Sequence, residues 1–286
     1  MRALPLRPPG RAGIVALLEH HGLTPSRALG QNFLADPNVA ERIARLAGVG
    51  PGDDVLEVGA GLGSLTTALS ATGAHVVALE LDRHLLPVLE ELVGPLGVEV
   101  VHADAMSPGW RPMLAGRSWV LVANLPYNLA TPLVLDLVRG APEITRFLVM
   151  VQREVGERLA AGPGSPAYGA VSVRLAYFAV ARVVASVPAS VFVPRPKVES
   201  VLVGIERRSG PAVSEDLASF AEIDELVSAG FATRRKMLRR SLSSLAGEAV
   251  FAAAGVAPTR RPEELSVEEW GRLAHARRPA RPPEAR

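Results

Sequence analysis

The sequence predicts an α/β fold with a mostly parallel sheet, followed by a small all-α domain. Three observations carry that expectation. Between residues 54 and 151, short runs rich in Val, Leu and Ile recur with helical stretches between them. The first of these runs ends at a glycine-rich loop. From about residue 208 the strand signal stops, and only helical segments broken by Gly and Pro remain. Alternating strands and helices build a parallel sheet through right-handed crossovers.

In chain order, the N-terminus carries a short apolar patch, Ala12 to Leu18, after the basic residues Arg2, Arg7 and Arg11. It reads as an amphipathic helix near the surface. Glu19-His20-His21 follows at once without a small-residue cleavage site, which argues against a signal peptide. Residues 54–58, 75–80, 98–102, 118–123 and 144–151 are apolar runs too short for buried helices, so they read as buried strands. Residues 63–71, 83–93 and 130–139 are the helices between them. Residues 182–187 and 199–206 look like strands without a long intervening helix, expected as an antiparallel hairpin at a sheet edge. Residues 215–231, 234–246 and 266–276 read as helices, broken at Gly247, Gly255, Pro258 and Pro262. The expected organisation is an N-terminal extension or helix over 1–22, a main domain over 23–207, a linker at Arg207-Arg208-Ser209-Gly210-Pro211, a helical domain over 212–276 and a basic, disordered tail over 277–286.

Composition narrows the function. The chain has 286 residues and is 48% hydrophobic, enough for two cores. It lacks cysteine, which removes disulfides and thiolate metal ligands. The six histidines show no metal-ligand spacing, so no metal is expected. No apolar run approaches the roughly 18–20 residues that span a bilayer; the expectation is a cytoplasmic monomer that does not engage a membrane. The net charge of +2 hides an asymmetry. Residues 1–31 carry four basic and one acidic side chain, residues 32–230 carry 15 and 22, and residues 231–286 carry 12 and 6. Basic ends around an acidic middle suit a protein that grips a polyanion from its flanks.

The first strand runs into Glu57-Val58-Gly59-Ala60-Gly61-Leu62-Gly63, and Glu80 ends the next strand. Glycines after a strand let backbone approach a nucleoside closely, and an acid one β-α-β unit later can accept from both ribose hydroxyls. The pattern fits S-adenosylmethionine or NAD; the dinucleotide fingerprint, however, wants a glycine at position 64, where Ser64 stands. Asp104, after the third strand, can accept from the adenine amine of either cofactor or serve as a helix N-cap.

The fourth strand ends in Asn124-Leu125-Pro126-Tyr127. This motif has a chemical reason. The N6 lone pair of adenine is delocalised into the ring, so the amine is a poor nucleophile. Two acceptors gripping its hydrogens favour a pyramidal nitrogen with the lone pair free. The Asn124 side-chain oxygen can be one, and the Leu125 carbonyl, held by the restriction that Pro126 imposes, the other. Tyr127 can stack on the base. No general base is needed, because the N-methylated ammonium gives its proton to water. In-line positioning and placed dipoles supply the rate. A base must leave its stack to reach such a site. The competing reading is a strand-end turn, where Asn and Pro are common.

These pieces sit within a larger set: Leu29-Gly30-Gln31-Asn32-Phe33-Leu34, the glycine loop, Asn124-Leu125-Pro126-Tyr127-Asn128, Gln152-Arg153-Glu154-Val155, Pro163-Gly164-Ser165 with Tyr168-Gly169, Val191-Phe192-Val193-Pro194-Arg195-Pro196-Lys197-Val198, and Phe231 with Arg234-Arg235-Lys236. With them the chain, from about Leu23 to Ala276, resembles the bacterial small-subunit ribosomal RNA adenine N6,N6-dimethyltransferases. The resemblance implies a class I S-adenosylmethionine-dependent methyltransferase fold, with a Rossmann-like seven-stranded sheet and a small helical C-terminal domain. It implies a cofactor site of Gln31, Asn32, Leu34, Gly59, Gly61, Glu80, Asp104, Ala105 and Asn124. It implies a catalytic set of Asn124, Leu125, Pro126, Tyr127 and Phe192, with Phe192 facing Tyr127 across the flipped base. Arg153, Arg195, Lys197, Arg234, Arg235, Lys236, Arg239 and Arg240 become candidate RNA contacts. The partner would be 16S rRNA in an immature 30S subunit, methylated at two adjacent adenosines near its 3′ end.

Overall fold

The computed structural model describes residues 7–278; the expected tail beyond residue 278 lies outside them. The described residues form two compact units, one of residues 7–156 and 182–207, the other of residues 157–181 and 208–278. In chain order the elements are α1 (Arg11–His20), β1 (Phe33–Leu34), α2 (Pro37–Ala47), β2 (Asp54–Val58), α3 (Ser64–Ser70), β3 (His75–Glu80), α4 (Leu86–Val93), β4 (Glu99–His102), β5 (Trp119–Asn124), α5 (Ala130–Gly140), β6 (Ile144–Gln152), α6 (Arg153–Leu159), α7 (Ala170–Phe178), β7 (Ala179–Val187), β8 (Phe192–Val193), β9 (Ser200–Arg207), α8 (Phe220–Ala232), α9 (Leu238–Ser241), α10 (Glu248–Ala254) and α11 (Val267–Arg277).

Seven strands form one sheet in the order β4-β3-β2-β5-β6-β9-β7. The inner pairs from β4 to β6 are parallel, and β9 joins β6 antiparallel. The strands expected over 182–187 and 199–206 are therefore neighbours at the sheet edge. The carboxyl ends of β2, β3 and β5 lie side by side. Register places Glu57 level with Ala78 and Val122. Side chains alternate across a strand, so Glu57, Glu80 and Asn124 share one sheet face. Beneath them, on that same face, Val55, Val76, Ala78, Val120, Val122, Leu148, Met150 and Leu202 form a core with Ala40, Ile43, Ala44, Leu65 and Leu69 from α2 and α3.

Local sequence explains the boundaries. Asp36 caps α2 by accepting from the backbone N–H of Asn38 and Val39, with Pro37 in the first turn and Gly48 left-handed at the end. The Arg207 guanidinium donates to the carbonyls of Leu137 and Val138 in the last turn of α5 and to those of Ala141 and Ile144 beyond it, satisfying acceptors that a helix end leaves open. α1, read as a surface helix, buries Ile14 and Leu18 against Leu62, Leu85 and Val88.

The second unit has its own core around Trp270, Phe251, Leu226, Leu242 and Leu265. Residues 157–181 group with it because Tyr168, Val173 and Tyr177 pack into that core, whereas the sequence alone kept them with the sheet. Capping boxes at Ser219/Glu222 and Ser266/Glu269 open α8 and α11. The continuous helix expected over 234–246 is not formed: residues 233–236 turn, and only Leu238–Ser241 is helical. The N–H groups of Leu238 and Arg239 bond instead to the carbonyls of Arg260 and Pro258, a tertiary pairing that helical periodicity does not reveal.

Candidate active site

A cleft opens at the carboxyl ends of β2, β3 and β5. This is the end of a parallel sheet where ligands bind. Its lining includes Gln31, Asn32, Leu34, Glu57, Gly59, Gly61, Glu80, Asp104, Ala105, Asn124, Leu125, Pro126 and Tyr127. Every expected cofactor residue is thus in one wall or another of a single cavity.

The glycine loop is shaped by positive φ, +74° at Gly59 and +60° at Gly61. A Cβ on Gly61 would meet the Phe33 ring at 3.1 Å, so both backbone and space select glycine there. Glu80, 7% exposed, binds the loop: its Oε2 accepts from the Gly61 N–H at 2.7 Å and its Oε1 from the Asp82 N–H at 2.8 Å. Burial raises its pKa against these two hydrogen bonds, which lower it. Gln31 donates from Nε2 to Asp82 at 2.8 Å and accepts the Ser26 N–H, which ties the segment before β1 over the cleft. Asp104 lines the cleft and accepts the Met106 N–H at 2.9 Å, closing a turn; it is not a helix N-cap, since the next helical segment is capped at Ser107.

Asn124 ends β5, and its Nδ2 donates to the Asn32 carbonyl at 3.1 Å. The nitrogen end of the amide is thereby committed, and Oδ1 is the end left to accept from a ligand. The Leu125 N–H donates to the Met150 carbonyl, and the Pro126 carbonyl accepts from Leu129 and Ala130, which starts α5. The motif is therefore a strand end, a turn and a helix start. Tyr127 is half-buried, its hydroxyl 3.0 Å from Ser200 Oγ; burial raises its pKa, so it stays a neutral phenol.

Phe192 is elsewhere. β8 pairs with β1, Leu34 against Phe192, and the ring is fully buried in the core with Leu34, Ala60 and Met150. It is not in the cleft wall, and of the two expected aromatic rings only Tyr127 is. The two-residue ribbon that decides this is too short to read from sequence.

The basic candidates divide between the units. Arg195 and Lys197 are exposed between β8 and β9, and Arg153 donates to Glu199 at 2.6 Å. Arg235, Lys236, Arg239 and Arg240 are exposed in the second unit. Arg234 is partly used up: it donates to the Pro166 carbonyl at 2.8 Å and faces Glu263 at 3.7 Å.

Glu57 is a cleft residue to which the sequence assigned no role. It is 2% exposed, and burial first, then repulsion from Glu80, pushes its pKa up to about 8. The signal was present: one acid inside an otherwise apolar strand. A group with a raised folded-state value favours the fold fully below its ordinary range and loses that contribution as pH rises through the folded value. The melting temperature of the ligand-free protein should therefore fall between pH 6 and 8, and Glu57→Gln should flatten the fall. Parallel slopes in the two proteins would remove Glu57 from that dependence.

The ribosomal RNA adenine dimethylase family model matches residues 23–277. The chain belongs to this family. As an rRNA adenine dimethylase family member it is an S-adenosylmethionine-dependent methyltransferase. It is 45% identical to the ribosomal RNA small subunit methyltransferase A of Leifsonia xyli subsp. xyli over 282 residues, which cover 94% of this chain and 98% of that one. The namesake from Acidothermus cellulolyticus is also 45% identical, with 94% and 95% covered. Among solved structures, the 23S rRNA methyltransferase ErmE aligns with a TM-score of 0.66 at 26% identity, over 86% of this chain and 99% of that one. A dimethyladenosine transferase from Plasmodium falciparum shares the fold, with a TM-score of 0.72 at 24% identity. The cleft of this dimethylase suits the methyl donor: a glycine loop for close approach, carboxylates at Glu80 and Asp104, and, among the described residues, no Lys, Arg or His in the lining. No helix among the described residues is long and apolar enough to cross a membrane.

Proposed function

We propose that this dimethylase transfers methyl groups to N6 of two adjacent adenosines in the 3′-terminal hairpin loop of 16S rRNA, in the assembling 30S subunit in the cytoplasm. The observation that carries the reading is that Asn124 and Tyr127 line the same cleft as the glycine loop and Glu80. The target amine and the donor methyl then meet in one cavity. Asn32, by accepting from Asn124 Nδ2, sets the amide so that Oδ1 grips the amine. The Leu125 carbonyl takes the second N6 hydrogen. S-adenosylmethionine supplies an electrophilic methyl on a sulfonium; the protein's part is to hold the amine in line with it. The 45% identity to small-subunit enzymes over nearly the full length supports the small-subunit RNA as substrate.

Mapping labelled methyl groups on RNA from purified subunits tests the assignment. Label at adjacent adenosines near the small-subunit 3′ end is expected. Label confined to the large subunit would reverse it in favour of a 23S enzyme, and binding without any transfer would indicate an assembly factor.

Tyr127→Ala should weaken capture of the extruded base by about 1–3 kcal/mol, the worth of one stacked ring, seen as a lower rate at subsaturating RNA. An unchanged rate there contradicts the stacking role. Phosphate contacts position RNA without reading its sequence. Replacing Arg235, Arg239 and Arg240 together with Ala should flatten the dependence of log affinity on log salt by about 0.7 for each phosphate no longer neutralised. Arg234 is a poorer choice, since its removal also frees the Pro166 carbonyl and Glu263. A wild-type slope in the triple variant would put these side chains away from RNA.

A further inference from the structure

Among the described residues, three carboxyl side chains line the cleft, Glu57, Glu80 and Asp104, and no cationic side chain does. Two of them are occupied by backbone. Glu80 accepts from Gly61 and Asp82, and Asp104 accepts from Met106. Glu57 differs: it is 2% exposed, and its Oε2 has no hydrogen-bond partner. The Thr66 hydroxyl lowers its pKa by less than burial raises it; a buried carboxylate so sparsely paired is costly, so it either keeps its proton or waits for a cation.

The groups around Glu57 sharpen the choice. From β3 comes Glu80, with Asp82 behind it held by Gln31. From the loop after β4 comes Asp104. His102, at the end of β4, bonds the Leu81 carbonyl and is not in the lining. β5 and α3 contribute the neutral side chains of Asn124, Ser64 and Thr66. Among the described residues no cationic side chain lines the cleft beside Glu57, and no group of three or more acidic or histidine side chains is placed to hold a metal ion. The missing positive charge is therefore one that an organic ligand brings.

We propose that Glu57 senses the charge of the methyl donor, holding a proton in the ligand-free cleft and releasing it when a cationic cofactor enters. This rests on the cleft being the S-adenosylmethionine site. The donor carries a carboxylate, an ammonium and a sulfonium, a net charge of +1. Glu57 gives its proton to bulk water as that cation binds, leaving a carboxylate beside a positive ligand. Methyl transfer breaks the sulfur–methyl bond, and the sulfur keeps the electron pair as a neutral thioether. The demethylated product, S-adenosylhomocysteine, is then a net-neutral zwitterion. Glu57 is left with less positive charge to face and takes a proton back from water. The carboxyl thus binds donor in preference to product and helps expel the product between the two methylations of one site. Its pKa in the ligand-free cleft, about 8, leaves it protonated at neutral pH, as the cycle requires.

Calorimetric titration of the full chain in two buffers of different ionisation enthalpy counts the protons. At pH 7 the wild-type protein should release most of one proton on binding S-adenosylmethionine and distinctly less on binding S-adenosylhomocysteine. Its affinity for the donor should rise by up to about tenfold per pH unit between pH 6 and 8. Glu57→Gln should bind the donor with no proton release and no such slope, and its preference for donor over product should shrink; Glu57→Asp should restore part of the release. Wild-type binding of the donor without proton release overturns the proposal while leaving the cofactor site intact, and this arm needs no variant to fold. So does a Glu57→Gln protein that releases as many protons as the wild type. Failure of either nucleoside to bind the wild-type protein would overturn the cofactor assignment itself.

Discussion

Asn124→Ala should remove turnover while leaving RNA capture intact. The substitution deletes the acceptor proposed to grip the target amine, and it also frees the Asn32 carbonyl that now accepts from Nδ2. Loss of one placed dipole at a reacting centre costs about 10²–10³ in rate. Here the loss should reach or exceed that, because the same side chain orders the wall between donor and acceptor. Single-turnover transfer of a labelled methyl group measures the chemical step, and filter binding measures capture of the subunit. Turnover near wild type would take Asn124 out of the mechanism. Equal losses in transfer and in capture would make it a binding residue instead.

Glu80→Ala should abolish useful binding of the methyl donor. In the structure the carboxylate holds two backbone N–H groups, those of Gly61 and Asp82, and so fixes the loop that the donor must approach. Removing it leaves both donors without that partner and takes away the acceptor proposed for the ribose hydroxyls. Hydrogen bonds to a charged group are worth about 1.5–3 kcal/mol each. Losing two of them predicts about 3–6 kcal/mol, or roughly 10²–10⁴ in affinity. Titration with S-adenosylhomocysteine reads this without involving catalysis, and retention of wild-type affinity would show that Glu80 only shapes the loop. A circular dichroism spectrum like that of the wild type separates the effect from unfolding, which the core of α2, α3 and the sheet resists independently of Glu80.

The two variants probe residues that were legible before any coordinates, and the reason is physical. Gly59, Gly61, Glu80 and Asn124 each end or follow a buried strand, and buried strands announce themselves as short apolar runs. Their functions depend on backbone shape or on a single polar group at a strand end, both of which local sequence specifies. Other features were not legible. The side chain of Phe192 is turned into the core by pairing with Leu34, an interaction between residues far apart in the chain and only two residues long. The break in the helix expected over 234–246 follows from N–H groups captured by Pro258 and Arg260, again a distant partner. Tyr168 and Tyr177 lie in the core of the second unit although the strands on both sides of them belong to the sheet.

By itself, then, the sequence determined the seven strands of the sheet with α3, α4 and α5 between them, the glycine loop and the acid and amide that flank it, because periodicity, φ preference and strand-end chemistry act over a few residues. Tertiary structure alone decided which of Tyr127 and Phe192 meets the cleft, which arginines stay exposed for a polyanion, and that Glu57 is a buried carboxyl with one oxygen left unpaired. Those properties depend on what packs from elsewhere in the chain, and burial is set by the whole fold rather than by any one segment.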